Sequence, residues 1–238
     1  MKGSLFRGEE MFGMVCEHTA EEPRLRVVEG VRFCAVYVTG GNTLRARLSC
    51  RAAARALARQ GVREAVFLSP RIDREPFARR GIAPIAAAPL HRAAAASIVR
   101  KALAERGLDP RHATVAFVAE RVTPELCCAV KRLSADVRYL VLRVPDGAAL
   151  AKRMQRECGV AIRQWGDVPP RIDLIAAFDG AEAAGTILRL DDALCVAYNS
   201  GYSNELLAAL WRAGALDAER LEVLSAGTTE ENSCKTPR

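Results

Sequence analysis

The sequence predicts an α/β protein with a mostly parallel, doubly wound Rossmann-like sheet and helices on both faces. The sheet is read either as one sheet or as two closely packed halves. Three observations carry this reading. Short runs rich in Val, Ile and Leu alternate with helix-length segments across residues 31–178. Residues 113–144 read as strand, helix and strand at βαβ length. Half of the 238 residues are hydrophobic, enough for a sizeable core, yet no run reaches the ~18 apolar residues of a membrane span.

The elements follow in order. Residues 1–24 show no periodicity and are expected to be a flexible N-terminal segment. Residues 25–38 (LRVVEGVRFCAVYV) read as extended, the last eight as a buried strand. Thr39-Gly40-Gly41-Asn42 is a turn, with Asn42 expected to cap a helix over 43–60 that Gly61 closes. EAVFL at 64–68 is a short strand, Asp73 caps a short helix through Arg80, and GIAPIA at 81–86 is a weaker strand. Pro89 opens a long Ala-rich helix that ends at Gly107. ATVAFVA at 113–119 is a buried strand. Thr123 at the N-cap, Pro124 at N1 and Glu125 then start a helix, and Leu126, Val130 and Leu133 give it one apolar face. RYLVLRV at 138–144 is the next strand. Asp146 caps a helix carrying Leu150, Met154 and Cys158, and Gly159 ends it. Val160–Arg163 reads as a strand and Ile172–Phe178 as a buried one. Residues 186–190 and 193–198 read as short strands around Asp191-Asp192. Ser203 is expected to cap a helix to about Ala213. This organisation divides the chain into a first half at 25–110, a Rossmann-like second half at 111–200, a C-terminal helical segment at 201–225 and a disordered tail at 226–238.

From Ala113 to Asp179 this order resembles the cofactor domain of shikimate-dehydrogenase-like and glutamyl-tRNA-reductase-like enzymes. ATVAFVAE stands at their first strand and Gly-rich turn, RYLVLRV at the second strand, AALAKRMQRECG at the next helix and RIDLIAAFD at the fourth strand. The resemblance covers about a quarter of the chain and implies a Rossmann-type fold with NAD(P) as its cofactor. The turn departs from the pattern. Where G-x-G-x-x-G would let backbone approach a pyrophosphate, the chain reads Glu120-Arg121-Val122-Thr123-Pro124-Glu125. Two carboxylates stand where the phosphate would lie, and Pro124 removes a donor. With the turn gone, Arg143 and Asp146 have no ribose to serve, and Glu125 simply complements the helix dipole.

The other βα turn is richer. Gly40, Gly41, Asn42 and Thr43 follow a strand and open a helix, the arrangement of an N–H nest for a small anion. The same residues also suit an ordinary turn. The helix behind them carries Arg47, Arg51, Arg55 and Arg59 at intervals of four with no acidic residue between 43 and 60. Like charges at this spacing cost a few tenths of a kcal/mol per pair. The stripe is either a solvated face or a surface for a protein or nucleic-acid partner, and it lacks the interleaved aromatics of a single-strand stacking surface. Arginine makes up most of the 35 basic residues, and the formal net charge is +7. Asp179, just past a buried strand, has the address of a functional carboxylate, and Tyr198–Glu205 is the most polar loop.

The motif inventory is otherwise sparse. His18, His91 and His112 have no motif partners, and no G-x-S-x-G, Walker A or H-E-x-x-H sequence occurs. Eight cysteines show neither C-x-x-C nor zinc-ligand spacing and read as free thiols, so no metal site is expected. MKGSLFRGEEMFGM lacks the apolar segment of a signal peptide, which favours a cytoplasmic protein. The expectation is a non-catalytic scaffold or regulatory module with a degenerate nucleotide-binding fold. Its partners would be a small anionic ligand or another protein, with no cofactor and no membrane. An NAD(P)-dependent oxidoreductase is the first alternative and a nucleic-acid-binding protein the second.

Overall fold

Two five-stranded sheets, each with its own core, organise the chain in the computed structural model, which describes residues 11–18, 22–166, 171–179 and 187–228. The first unit takes residues 1–86 and 205–216, and the second takes 87–204 and 217–238. The boundary therefore falls before the Ala-rich helix, not after it at 110. That helix belongs wholly to the second unit.

The first unit contains β1 (Phe12–Glu17), β2 (Arg24–Val28), β3 (Val31–Val38), α1 (Leu44–Arg59), β4 (Glu64–Phe67), α2 (Glu75–Ala78) and β5 (Ala83–Pro84). Its sheet runs β2-β3-β1-β4-β5, antiparallel only at β2. The strand at its centre is β1, which corrects the expectation of a flexible N-terminal segment over residues 1–24 at Phe12–Glu17. Phe12–Glu17 pairs in parallel with Phe33–Val38, and Gly13–Val15 with Ala65–Phe67. A central parallel strand is buried on both faces and shows no alternation. FGMVC, short and containing a glycine, carries no period to read.

α1 packs small residues (Ala46, Cys50, Ala53 and Ala54) together with Leu57 toward the sheet. Cys50, Ala53, Ala54 and Leu57 join Val15, Val36, Phe67 and Phe77 in one core, where the Phe67 and Phe77 rings meet edge-on at 5.1 Å. The N-cap is Thr43, one residue beyond Asn42. Thr43 is extended (φ −78°, ψ 158°), and its hydroxyl accepts the Ala46 amide at 3.2 Å. Asp73 accepts the Glu75 amide at 3.1 Å at the start of α2. The helix Asn204–Arg212 supplies this unit with Glu205, which accepts the Phe67 amide at 2.8 Å, and Arg212, which pairs with Glu64.

The second unit contains α3 (Ala88–Ala93), α4 (Ala95–Glu105), β6 (Thr114–Val118), α5 (Pro124–Leu133), β7 (Tyr139–Arg143), α6 (Gly147–Cys158), β8 (Arg163–Gln164), β9 (Leu174–Ala177), β10 (Ile187–Arg189), β11 (Leu194–Tyr198) and β12 (Val223–Thr228). Its sheet runs β10-β9-β6-β7-β8, parallel throughout. Counted from β6, the strand order is 3-2-1-4-5, the Rossmann order. The segments matched to the first, second and fourth strands of dehydrogenase cofactor domains are β6, β7 and β9.

Several boundaries differ from the sequence reading. The Ala-rich helix is two helices, because Ala94 leaves helical geometry (φ −88°, ψ 8°). The two short strands around Asp191-Asp192 belong to different sheets. β10 pairs with β9, and β11 pairs antiparallel with β12. Residues 201–225 are not one helical segment: after the helix Asn204–Arg212 come a 3-10 turn at Ala218–Arg220 and β12. Ala226–Thr228 lie in β12, and the rest of the predicted tail lies outside the described residues.

The start of α5 is built as the residues predict. Thr123 accepts the Leu126 amide at 3.2 Å, and Pro124 occupies the first turn. Thr123→Ala leaves that amide without its cap and is expected to cost about 1 kcal/mol. Urea denaturation of the variant checks this.

Candidate functional site

The predicted glycine turn and the predicted arginine stripe meet in one cavity of the first unit. This groove between α1 and α2 has a volume of about 780 Å³. Gly41 and Asn42 stand at one end, Arg47, Arg51 and Arg55 along one wall, and Arg79 and Arg80 on the opposite wall. Five guanidiniums face two carboxylates, Asp73 and Glu75. Glu75 is engaged by Arg79 at 2.5 Å, and Asp73 holds the Glu75 amide. Arg47, Arg51 and Arg55 have no acidic partner on α1 and no ion pair among the described residues. The fold thus accepts a like-charge repulsion that an anion in the groove would relieve.

The remaining predicted residues take other places. Arg59 lies on α1 outside the groove lining. Thr43 spends its hydroxyl on the helix cap. Gly40 faces away, toward Glu17, whose carboxylate occupies the space a Cβ would fill. Gly41 has φ +97°, so a side chain there would be strained. Of the turn's own amides, that of Gly41 is spent on the Arg71 carbonyl at 3.2 Å, and Thr39 just before it donates to Ser49 Oγ at 3.1 Å. The groove is lined by guanidiniums from both helices. Sequence reasoning missed Arg79 and Arg80. Their only signal is an Arg-Arg pair ending a one-turn helix, and nothing local shows that this turn faces α1.

The βα turn of the second unit is different. A cavity of about 470 Å³ lies at the carboxyl ends of β6 and β7, lined by Glu120, Arg143 and Trp165 among others. The Arg143 guanidinium lies over the Trp165 ring at 5.4 Å. Glu120 thus lines a cavity at the βα turn that follows β6.

A third feature of the second unit concerns buried polar atoms. Those without a hydrogen-bond partner among the described residues are His91 Nε2, Arg92 Nε, Asp179 Oδ2 and Tyr198 OH. Arg92 reaches Asp179 at 3.7 Å, and the His91 and Tyr198 rings stack with centroids 6.5 Å apart. Burial pushes the His91 pKa below its ordinary value, against the Asp191 carbonyl and the charges of Asp192 and Asp191, and raises the Tyr198 phenol. Among the described residues no group of three or more His, Cys, Asp or Glu is arranged to hold a metal ion, and no helix is long and apolar enough to cross a membrane.

No family model matches the chain, and no curated protein matches it. The solved structures it is similar to include an ornithine carbamoyltransferase from Pyrococcus furiosus, at 15% identity over 71% of this chain and 58% of that one, with a TM-score of 0.25. They also include an L-tryptophan dehydrogenase from Nostoc punctiforme, at 14% identity over 71% and 56%, with a TM-score of 0.29. The chain thus spans less than two thirds of either structure. The Rossmann-like description of the second unit rests on its own strand order.

Proposed function

We propose that the chain is a non-catalytic regulatory module whose first unit binds a small anionic ligand in the arginine groove. The observation that carries this reading is the convergence of Arg47, Arg51 and Arg55 with Arg79 and Arg80 around one cavity. Charge distribution supports it. The first unit holds 16 of the 35 Lys and Arg and 10 of the 28 Asp and Glu, whereas the second holds 19 and 18. Nearly all of the net positive charge therefore sits on the unit with the groove, where it raises the local concentration of anions. In the second unit, Glu120 and Glu125 in place of a glycine loop support a degenerate nucleotide-binding fold. A cytoplasmic setting fits the buried free thiols Cys16, Cys34 and Cys50.

Isothermal titration with tripolyphosphate tests the proposal. Hydrogen bonds to charged groups contribute about 1.5–3 kcal/mol each. The double variant Arg51→Glu/Arg55→Glu is therefore expected to weaken binding at least ~100-fold. Arg59→Glu makes the same charge change on the same helix outside the groove and should alter binding less than about threefold. Equal losses in the two variants would reduce the effect to net charge and sink the groove as a site. A longer polyanion is tested by salt: a nucleic acid would lose affinity with a log–log slope that steepens with each phosphate engaged.

A further inference from the structure

A second cavity of the first unit, about 590 Å³, opens at the carboxyl ends of β1 and β4 and shares no lining residue with the arginine groove. Its position follows from topology. β1 has β3 on one side and β4 on the other, and the chain passes from β3 through α1 to β4. The direction of sheet growth therefore reverses at β1, and open parallel sheets form their ligand crevices outside the strand ends at such a point.

The cavity is lined by polar and charged side chains together with the Tyr37 and His18 rings. Glu17, the last residue of β1, is fixed there. Ser69 donates to one carboxylate oxygen at 2.5 Å, Arg71 lies 3.5 Å from the other, and the carboxylate backs onto Gly40. Ser69 is itself oriented by the Arg71 amide at 3.2 Å. A carboxylate has about four acceptor positions, and these contacts leave capacity for a ligand donor. Tyr37 and His18 meet edge-to-face at 6.3 Å beside it. Arg26, from the edge strand, and Arg71 supply two guanidiniums. One held carboxylate beside two guanidiniums is matched by a molecule with an oxyanion and a separate hydrogen-bond donor.

We propose that this cavity binds a small molecule whose carboxylate or phosphate is held by Arg26 and Arg71 and whose hydroxyl or amine donates to Glu17. The site shares no lining residue with the arginine groove. Arg51→Glu/Arg55→Glu therefore serves as the background for the test, so that groove binding does not contribute.

Matched probes on the full chain read the Glu17 contact directly. 3-Phenyllactate against 3-phenylpropionate compares a carboxylate with and without a hydroxyl. Ribose 5-phosphate against inorganic phosphate does the same for phosphate and distinguishes the two oxyanion classes. In one pair the hydroxylated member is expected to bind at least ~10-fold tighter by titration calorimetry, and Glu17→Gln should bring the two within about twofold. Arg71→Ala, a change at a largely exposed side chain, should weaken both members of that pair alike, and it provides a test if Glu17→Gln does not fold. A preference that survives Glu17→Gln, equal binding within both pairs, or no binding of either hydroxylated probe at millimolar concentration would overturn the proposal.

Discussion

A chain beginning at Glu22 is expected to lose the fold of its first unit. The truncation removes β1 from the middle of a five-stranded sheet and leaves β3 and β4 without the strand that joins them. It also removes Phe12, Met14 and Val15, which are 4%, 1% and 0% exposed. Burying side chains of this size contributes about 1.5–3 kcal/mol each. Three of them rival the 5–15 kcal/mol that stabilises an ordinary domain, before the lost ladder hydrogen bonds are considered. Hydrogen exchange makes the measurement: amides of Phe33–Val38 and Ala65–Phe67 should lose their protection in the truncated chain. Intact protection would mean that β1 is dispensable and that the first 21 residues are an appendage after all.

That experiment also marks the limit of what was legible. Elements whose signal is local were readable. Thr123-Pro124-Glu125 announces a helix start through capping chemistry, and ATVAFVA and IDLIAAF announce strands through β-branched runs bounded by turn residues. The 3-2-1-4-5 order was foreshadowed by the resemblance of residues 113–179 to dehydrogenase cofactor domains, because those segments fall at the same strand positions. β1 was not readable, since a strand buried on both faces has no period and Gly13 weakens the run further. The split into two sheets depends on long-range pairing, in which β1 joins β3 and β4, and no local pattern encodes it. The site divides in the same way. Arg47, Arg51 and Arg55 were visible as a stripe at helical spacing. Arg79 and Arg80 become part of the groove only when α2 packs beside α1. Glu17 is as hidden in the sequence as β1 itself, because the switch point it marks exists only through the pairing of β1 with β3 and β4.

Stability is expected to fall as the pH drops below about 6.5, and His91 should account for a distinct share of the loss. His91 is fully buried in α3. Its Nδ1 lies 3.0 Å from the Asp191 carbonyl. A carbonyl only accepts, so Nδ1 carries the proton, and Nε2 is a lone-pair acceptor with no partner among the described residues. Protonating Nε2 would place a charge in a site buried from water. This desolvation outweighs the Asp191 carbonyl and the Asp192 and Asp191 carboxylates and lowers the pKa in the folded state. Above the unfolded value of about 6.5 the imidazole is neutral in both states and exerts no pH dependence. Below it, the unfolded chain binds a proton that the folded chain refuses. Unfolding is then favoured by up to about 1.4 kcal/mol per pH unit, until the folded pKa is reached. His91→Phe keeps an aromatic ring against Tyr198 and removes the titration. Urea denaturation between pH 7 and pH 5.5 should show a smaller loss of stability in the variant than in the parent, with the difference vanishing above pH 7. Parallel losses would mean that Nε2 takes up its proton in the folded state as readily as in water. The orphaned nitrogen would then have a path to solvent, and burial would not be what sets its charge.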